Sequence, residues 1–311
     1  MRQPRIFRLF LIPALLLAPF AAVAQPAEPP AKTPAQSTNR LGPEDHFFDS
    51  DGVQIHYKVL GEGEPVLLIH GFSINMGFNW GAVMKPLAAK YKVIAIDNRG
   101  HGASGKPHDP NDYGIKMAED QIRLLDHLNI KKAHIVGYSM GGFITMKLLA
   151  THPERFLSAT LGGAGWMRET PEGNTFSEEV ATSLEQGHGL GPLGDRVTSN
   201  AGTPSTPADV QRAKTMNAAV MAMNDPLALA ACFRGMTGLW MTEPEVKSIK
   251  IPTLALIGEF DGMKQNVNAL KDVMPSLEVV EIEKTNHMTA FTNPKFIDSL
   301  LSFLGKHGRA S

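Results

Sequence analysis

Cysteine is almost absent from this chain. Cys232 is the only cysteine in 311 residues, so an intramolecular disulfide cannot form and the core must stabilise the fold without cross-links. Cys232 lies in the apolar stretch 227–233, which predicts a small buried side chain. A cysteine nucleophile is the alternative, but no histidine-containing partner motif stands beside Cys232.

An excess of charge of one sign is also missing. Lys and Arg total 30 and Asp and Glu total 31, which gives a formal net charge of −1. No Lys/Arg cluster could neutralise a row of phosphates, so we expect no nucleic-acid partner. The 11 histidines include no H-E-x-x-H motif and no Cys/His ligand spacing, so we predict neither a metal nor a cofactor.

The one long hydrophobic run of the sequence lies at its N-terminus. Three arginines precede an apolar run over 9–23, which ends in a small-x-small pattern at Ala24. This pattern predicts a cleaved signal peptide over 1–24 and a periplasmic or extracellular location. An uncleaved anchor is the alternative, but the run is shorter than the roughly 20 residues that a membrane span needs and contains Pro13 and Pro19. We therefore expect no stable membrane span after cleavage.

The remaining chain is predicted to form a linker, a core and a cap. Residues 25–46 are rich in proline and predict a disordered or extended linker. Short apolar runs that read as buried strands then alternate with helical patterns over 47–162 and 249–311, which predicts an α/β core with a parallel sheet covered on both faces. The stretch 163–248 contains no convincing buried strand and predicts a mainly helical cap at the carboxyl end of the sheet.

A G-x-S-x-G motif, GYSMG, occupies residues 137–141. An apolar strand pattern at 133–136 precedes it and a helical pattern follows from Phe143. A serine at such a strand-to-helix turn has a strained backbone and an exposed hydroxyl, as a nucleophile requires. The alternative for Ser139 is a plain helix N-cap.

A serine hydroxyl needs a base, and the base needs an acid. His287 is the candidate base because it opens a loop just past a predicted strand at 277–282. Asp261 lies four residues beyond Ile257, the end of another predicted strand, and can hold the imidazole. Glu259 is the competing acid.

Five motifs, in order, carry a resemblance to a known family. They are His70-Gly71-Phe72, DNRGHGAS at 97–104, GYSMG at 137–141, GEFD at 258–261 and NHM at 286–288. Over residues 50–305 the chain resembles the α/β-hydrolase family. The resemblance implies an eight-stranded, mostly parallel sheet with a cap inserted after strand 6, and a chain order of serine, acid and histidine.

The resemblance also implies roles for particular residues. It favours Asp261 over Glu259, and it places the oxyanion donors at the backbone N–H groups of Phe72 and Met140. It makes His70 and His101, which belong to the first and second of these motifs, structural hydrogen-bonding residues rather than catalytic ones.

The expected function is hydrolysis of a small or medium apolar carboxylic ester through an acyl-enzyme, with a small molecule as the partner and no prediction of oligomeric state. The same triad serves C–C bond, lactone or amide hydrolysis and cofactor-free haloperoxidase chemistry, so these are alternatives. A non-catalytic ligand-binding protein is the alternative from another class. Two tryptophans and five methionines of the cap are candidates for lining an apolar pocket, or else belong to its core: Trp166, Trp240, Met216, Met221, Met223, Met236 and Met241.

Overall fold

The computed structural model describes Gly42, residues 44–201 and residues 207–308, with the backbone alone for 197–201 and 207–209. The predicted signal peptide, residues 1–24, lies outside the described residues, as does most of the predicted linker, 25–46. Among the helices of the described ranges, none combines the length and apolar composition that a bilayer crossing requires.

Within the described part of the chain, eight strands form one sheet in the order β1-β2-β4-β3-β5-β6-β7-β8. The first two pairings, β1 with β2 and β2 with β4, are antiparallel, and every other pairing is parallel. This mostly parallel sheet confirms the predicted fold class. The strands are β1 (Asp45–Ser50), β2 (Val53–Leu60), β3 (Glu64–Ile69), β4 (Tyr91–Ile96), β5 (Ala133–Tyr138), β6 (Phe156–Gly162), β7 (Thr253–Gly258) and β8 (Glu278–Ile282).

The α-helices of the described residues divide into two sets. One set flanks the sheet and comprises α1 (Met76–Ala88), α2 (Ile115–His127), α3 (Met140–Thr151), α9 (Lys264–Val273) and α10 (Pro294–Lys306). The other set lies between β6 and β7, within the predicted cap, and comprises α4 (Pro171–Glu185), α5 (Gly191–Ala201), α6 (Pro207–Met223), α7 (Pro226–Gly235) and α8 (Glu243–Ser248). The insertion after the sixth strand is therefore helical.

Both faces of the sheet are buried under helices. In β3, Leu67 and Ile69 join a core cluster with side chains of α2, α3 and α9, whereas Val66 and Leu68 join a second cluster with α1 and α10. A strand that is buried on both faces has no polar alternation, which explains its continuous apolar run.

Three boundaries differ from the sequence prediction. The strand β1 begins at Asp45, two residues inside the predicted linker, because Asp45 pairs with β2 and its carboxylate accepts hydrogen bonds from His56 and Lys58. The sequence pattern predicts a helix over 80–90, whereas α1 covers 76–88, because the Asn75 side chain accepts from the Phe78 N–H and caps the helix four residues earlier. In the cap, the composition indicates helix most clearly from about 207 to 239, whereas α4 and α5 are helices in the Gly/Thr/Ser/Asn/Pro-rich part before it. Helix α4 begins with Thr170 as its N-cap and a proline in its first turn.

A buried histidine joins β2 to the loop that follows β4. The two ring nitrogens of His56 contact Asp97 at 2.8 Å and Asp45 at 2.6 Å. Burial alone would lower the pKa of His56, but the hydrogen bonds and charges of these two carboxylates outweigh it and raise the pKa. Asp97 also accepts from the Met76 and Ala103 N–H groups, so this cluster fixes the start of α1 and the loop after β4.

The raised pKa predicts how the stability of the protein depends on pH. A group with a raised folded-state pKa stabilises the fold below its unfolded pKa, about 6.5 for histidine, and loses that contribution as pH rises through the folded value. The difference in unfolding free energy between wild type and His56→Gln should therefore be largest near about pH 5 and shrink toward about pH 9. Urea denaturation of both proteins at a series of pH values measures this difference in unfolding free energy. A difference that stays constant with pH would contradict a stabilising role for the protonated His56.

Glycines allow α3 to pack directly against the carboxyl ends of β3 and β5. A Cβ at Gly137 would lie 2.1 Å from the Gly141 carbonyl oxygen, and a Cβ at Gly141 would lie 2.1 Å from the Ile69 carbonyl oxygen. Both obstacles are backbone atoms, which cannot turn aside as a flexible side chain can. Only glycine fits at these two positions.

A matched pair of Gly→Ala variants tests this packing. Gly141→Ala should lower the free energy of unfolding by about 3 kcal/mol, the upper end of typical overpacking costs. Gly81→Ala, in the exposed part of α1 where a Cβ would meet nothing within 4 Å, should raise it by about 0.5–1 kcal/mol. Thermal and urea unfolding measure both changes, and equal stabilities for the two variants would refute the steric account.

Candidate active site

Ser139 lies at the turn between β5 and α3 with a backbone conformation that is rare for its residue type. Its φ of 51° falls in the left-handed region, and a non-glycine residue held in an unusual backbone region costs on the order of 1–3 kcal/mol. The turn is held by a 2.8 Å hydrogen bond from the Ser139 N–H to the Gly162 carbonyl. Ser139 precedes α3 as its N-cap residue, but its side chain makes no capping hydrogen bond to the helix. Its hydroxyl is free for other partners.

The imidazole of His287, in the loop after β8, connects this hydroxyl to a carboxylate. Its Nε2 lies 3.0 Å from the Ser139 Oγ, and its Nδ1 lies 3.0 Å from each carboxylate oxygen of Asp261, which follows β7. Because a carboxylate can only accept, Nδ1 carries the proton and Nε2 faces the hydroxyl as an acceptor. The three side chains that the sequence singled out are therefore in one hydrogen-bonded series, with the tautomer that removal of the serine proton requires.

Asp261, rather than Glu259, makes the contact to His287. Asp261 is buried, and its carboxylate also accepts from the Met263 N–H at 2.9 Å. The Glu259 carboxylate accepts from the Lys284 N–H at 2.8 Å, at the sheet-edge turn. The backbone hydrogen bond orients Asp261 toward the imidazole.

Tyr138 positions the histidine, a role that the sequence had not indicated. Its hydroxyl donates a 2.6 Å hydrogen bond to the His287 carbonyl, and the two ring centroids are 5.4 Å apart. Burial raises the pKa of Tyr138 well above its usual value, so the phenol keeps the proton that it donates. Its place inside the G-x-S-x-G motif was the only available signal, and that motif does not specify a tyrosine.

The loop after β3 contains Phe72, one of the two predicted oxyanion donors, and it lies against Ser139. A Cβ at Gly71 would be 3.3 Å from the Ser139 Cβ, which is a close approach. The Gly71 N–H donates to the buried Asn79 side chain at 2.9 Å. Met140, the other predicted donor, is the first residue of α3, where backbone N–H groups have no partner within the helix. Phe72 therefore follows a residue that approaches Ser139 closely, and Met140 directly follows Ser139.

The two motif histidines bond to backbone atoms near this loop. His70 Nδ1 donates to the Gly71 carbonyl at 2.7 Å, and its Nε2 accepts from the Asn98 N–H at 2.9 Å. His101 Nδ1 donates to the Arg99 carbonyl at 3.0 Å. Burial lowers the pKa of His70, and it lowers that of His101 to about 3, so both rings are neutral. These contacts fit the structural role expected for them.

The aromatic and methionine side chains proposed for a pocket divide into separate groups. Trp166, Trp240 and Met241 line a cleft of about 340 Å³, but its wall includes charged side chains, among them Arg168, and none of the three residues of the hydrogen-bonded series. Met216 and Met223 are exposed. Met221 and Met236 pack against the hydrophobic cluster of the cap. The seven side chains therefore do not form a single apolar lining, and Met221, Met236 and Met241 belong to hydrophobic clusters, as the core alternative expects.

Cys232 is fully buried in α7, as the sequence predicted. Its sulfur lies 3.8 Å from the Met117 sulfur and 3.9 Å from the Met140 sulfur. Burial raises the pKa of the thiol far above its usual value. It therefore remains a protonated thiol in an apolar environment, unsuited to nucleophilic attack.

Comparison with known proteins finds similar hydrolases. The chain is 30% identical to 3-oxoadipate enol-lactonase 2 of Acinetobacter baylyi over 224 residues, which are 70% of this chain and 80% of that protein. A solved structure of an N-acyl homoserine lactone degrading enzyme superposes with a TM-score of 0.65 at 28% identity, covering 83% of this chain and 99% of the other. A hydrolase structure from Pseudomonas aeruginosa has a TM-score of 0.69 at 23% identity over 85% of this chain and all of its own, which shows a shared fold.

Other relatives match over a shorter stretch. The dihydrolipoyllysine-residue acetyltransferase component of the acetoin cleaving system of Cupriavidus necator is 40% identical over 116 residues. The chain spans less than half the length of the first three curated relatives that it matches, between 30% and 44%. The sequence profile of the alpha/beta hydrolase fold matches residues 64–294, most of the core and the whole cap. This chain belongs to the α/β hydrolase fold family.

Proposed function

We propose that the chain is a serine hydrolase that cleaves a small or medium apolar carboxylic ester through an acyl-enzyme. Ser139 is the nucleophile, His287 the base and Asp261 the acid that orients the base. One observation carries the proposal: the hydroxyl, the imidazole and the buried carboxylate form a continuous series with contacts of 3.0 Å. A hydroxyl is a poor nucleophile alone, and this series gives its proton an acceptor.

The reaction proceeds in two stages. The Ser139 oxygen attacks the ester carbonyl carbon while its proton passes to Nε2 of His287. The bond to the leaving oxygen breaks, and the departing alcohol takes that proton. Water then attacks the acyl-enzyme, His287 accepts the proton of the water and returns it to Ser139, and the carboxylic acid leaves. Throughout, Asp261 holds the imidazole and stabilises the imidazolium.

The charge that develops on the carbonyl oxygen needs donors, and we assign them to the backbone N–H groups of Phe72 and Met140. The loop after β3, which carries Phe72, and the start of α3 both adjoin Ser139, so both groups can face one oxygen atom. Losing one such donor typically costs about 3–4 kcal/mol of transition-state stabilisation.

The apolar character of the substrate is inferred from the cap beside the Phe72 loop. The Phe72 ring packs edge-on against the Phe233 ring of α7, with 5.0 Å between the ring centroids. The Phe233 ring in turn packs edge-on against the Phe176 ring of α4, with 6.1 Å between the centroids. Aromatic side chains at this position favour an apolar acyl or alcohol group over a charged one.

A lactone is the second candidate substrate. It is a cyclic ester, so the same attack opens the ring and leaves acid and alcohol in one molecule. The similarity to an enol-lactonase and to an N-acyl homoserine lactone degrading enzyme favours this class. C–C bond or amide hydrolysis and cofactor-free haloperoxidase chemistry are further uses of the same triad, and a non-catalytic ligand-binding protein is the alternative of another class. From the predicted signal peptide, we also propose that the protein acts in the periplasm or outside the cell.

Removal of the nucleophile tests the proposal. With p-nitrophenyl esters of graded acyl length and a matching series of lactones, Ser139→Ala should lower kcat by roughly 10⁶-fold, because the residual rate comes from binding and the oxyanion donors alone. Cys232→Ala, which removes the only thiol, should keep kcat within about threefold of wild type, a minor change on the scale of catalytic losses.

Two outcomes would count against the proposal in different ways. Equal turnover by wild type and Ser139→Ala would exclude Ser139 as the nucleophile. Absence of turnover by wild type on every ester and lactone, together with saturable binding of those compounds, would favour the ligand-binding alternative.

A further inference from the structure

The corner of the cap between α6 and α7 reaches down to the loop that carries Phe72. The Asn224 side-chain nitrogen donates a 3.1 Å hydrogen bond to the Ser73 carbonyl, across 151 residues of sequence. The same nitrogen donates at 2.9 Å to the Val220 carbonyl, one turn earlier in α6. An amide nitrogen has two hydrogens, so both are used, and two carbonyl partners determine which end of the amide faces the loop.

Ser73 needs such a restraint because its backbone is strained. Its φ is 62°, in the left-handed region that serine seldom adopts, and its side chain is almost fully buried. A residue in this region keeps its conformation only where surrounding contacts determine it. A change in the Ser73 backbone would rotate the peptide units on either side of it and displace Phe72, so that the preceding peptide unit, which carries the Phe72 N–H, would shift as well.

The core and the cap hold opposite ends of this loop. On the core side, Asn79 accepts from the Gly71 N–H. On the cap side, Asn224 donates to the Ser73 carbonyl, and Phe233 packs against the Phe72 ring. The loop is therefore shaped by the cap as well as by the sheet.

We propose that Asn224 is a positioning residue that aligns the Phe72 N–H for the oxyanion only when the α6–α7 corner is seated on the core. The inference rests on the proposed function, which makes this N–H an oxyanion donor. The cap then contributes to catalysis as well as to substrate selection: displacement of this corner releases the Ser73 carbonyl and weakens the oxyanion site.

The hydrogen bond between His108 and Asp225, the residue after Asn224, provides a matched control. Asp225 accepts from the Leu227 and Ala228 N–H groups, which caps α7, and from His108 Nε2 at 2.9 Å. The contact with His108 also ties this corner to the core, but it does not involve the Phe72 loop. His108→Ala therefore removes a cap–core hydrogen bond at the same corner and leaves the Ser73 contact in place.

Steady-state kinetics on a p-nitrophenyl ester test the proposal with two Asn224 variants. Asn224→Asp keeps the shape but turns a carboxylate toward two carbonyl oxygens, so kcat should fall by about 10- to 100-fold, the range that a displaced oxyanion donor costs. Asn224→Ala, which removes the donor without adding a repulsive acceptor, should lower kcat by about tenfold. KM should change by less than about threefold in both, because oxyanion contacts form in the transition state. His108→Ala should keep kcat within about twofold.

Backbone ¹⁵N order parameters of Phe72 and Ser73 give a readout that does not depend on turnover. They should lie near about 0.85 in wild type and His108→Ala, and fall toward about 0.6 in Asn224→Asp. Unchanged order parameters, or a kcat for Asn224→Asp no lower than that of His108→Ala, would overturn the proposal. Failure of the proposed function has a different signature, namely turnover that survives Ser139→Ala, and the order parameters would then still decide whether Asn224 holds the loop.

Discussion

The close approach of α3 to the carboxyl end of β5 is the constraint on which the rest of the site depends. Because Gly137 and Gly141 carry no Cβ, the helix can begin directly above β3 and β5, and Ser139, midway between the two glycines, takes a positive φ. That geometry raises the Ser139 hydroxyl above the sheet. The loops after β7 and β8 end at the same edge, since parallel strands present their carboxyl ends together, and so a carboxylate and an imidazole can reach the hydroxyl.

Each of the groups around this turn is held by a hydrogen bond between a side chain and the backbone. Asp261 is oriented by the Met263 N–H, His287 by the Tyr138 hydroxyl at its carbonyl, and the Phe72 loop by Asn79. A reacting group that is fixed in this way needs little rearrangement during the reaction, which is the basis of electrostatic preorganisation. The cap adds a hydrogen bond through Asn224, so one part of the site depends on an element outside the core.

The sequence predicted the central sheet and the hydrogen-bonded series well, for a physical reason. Strands buried on both faces, such as 65–69 and 92–96, leave continuous apolar runs, and turn residues mark their ends. The strand β1 was missed at its start because half of its residues are exposed and leave no such run. The roles of Tyr138 and Asn224 could not be read from the sequence at all, since each depends on a partner about 150 residues away that only the folded chain brings close.

The most direct test of the central claim is mass spectrometry of the protein after treatment with a fluorophosphonate, with the adduct mapped to its residue. The account predicts a single covalent adduct, on the Ser139 hydroxyl, that forms much more slowly in His287→Ala because the base that accepts the serine proton is gone. An adduct on another residue, or labelling of Ser139 at the same rate without His287, would contradict it.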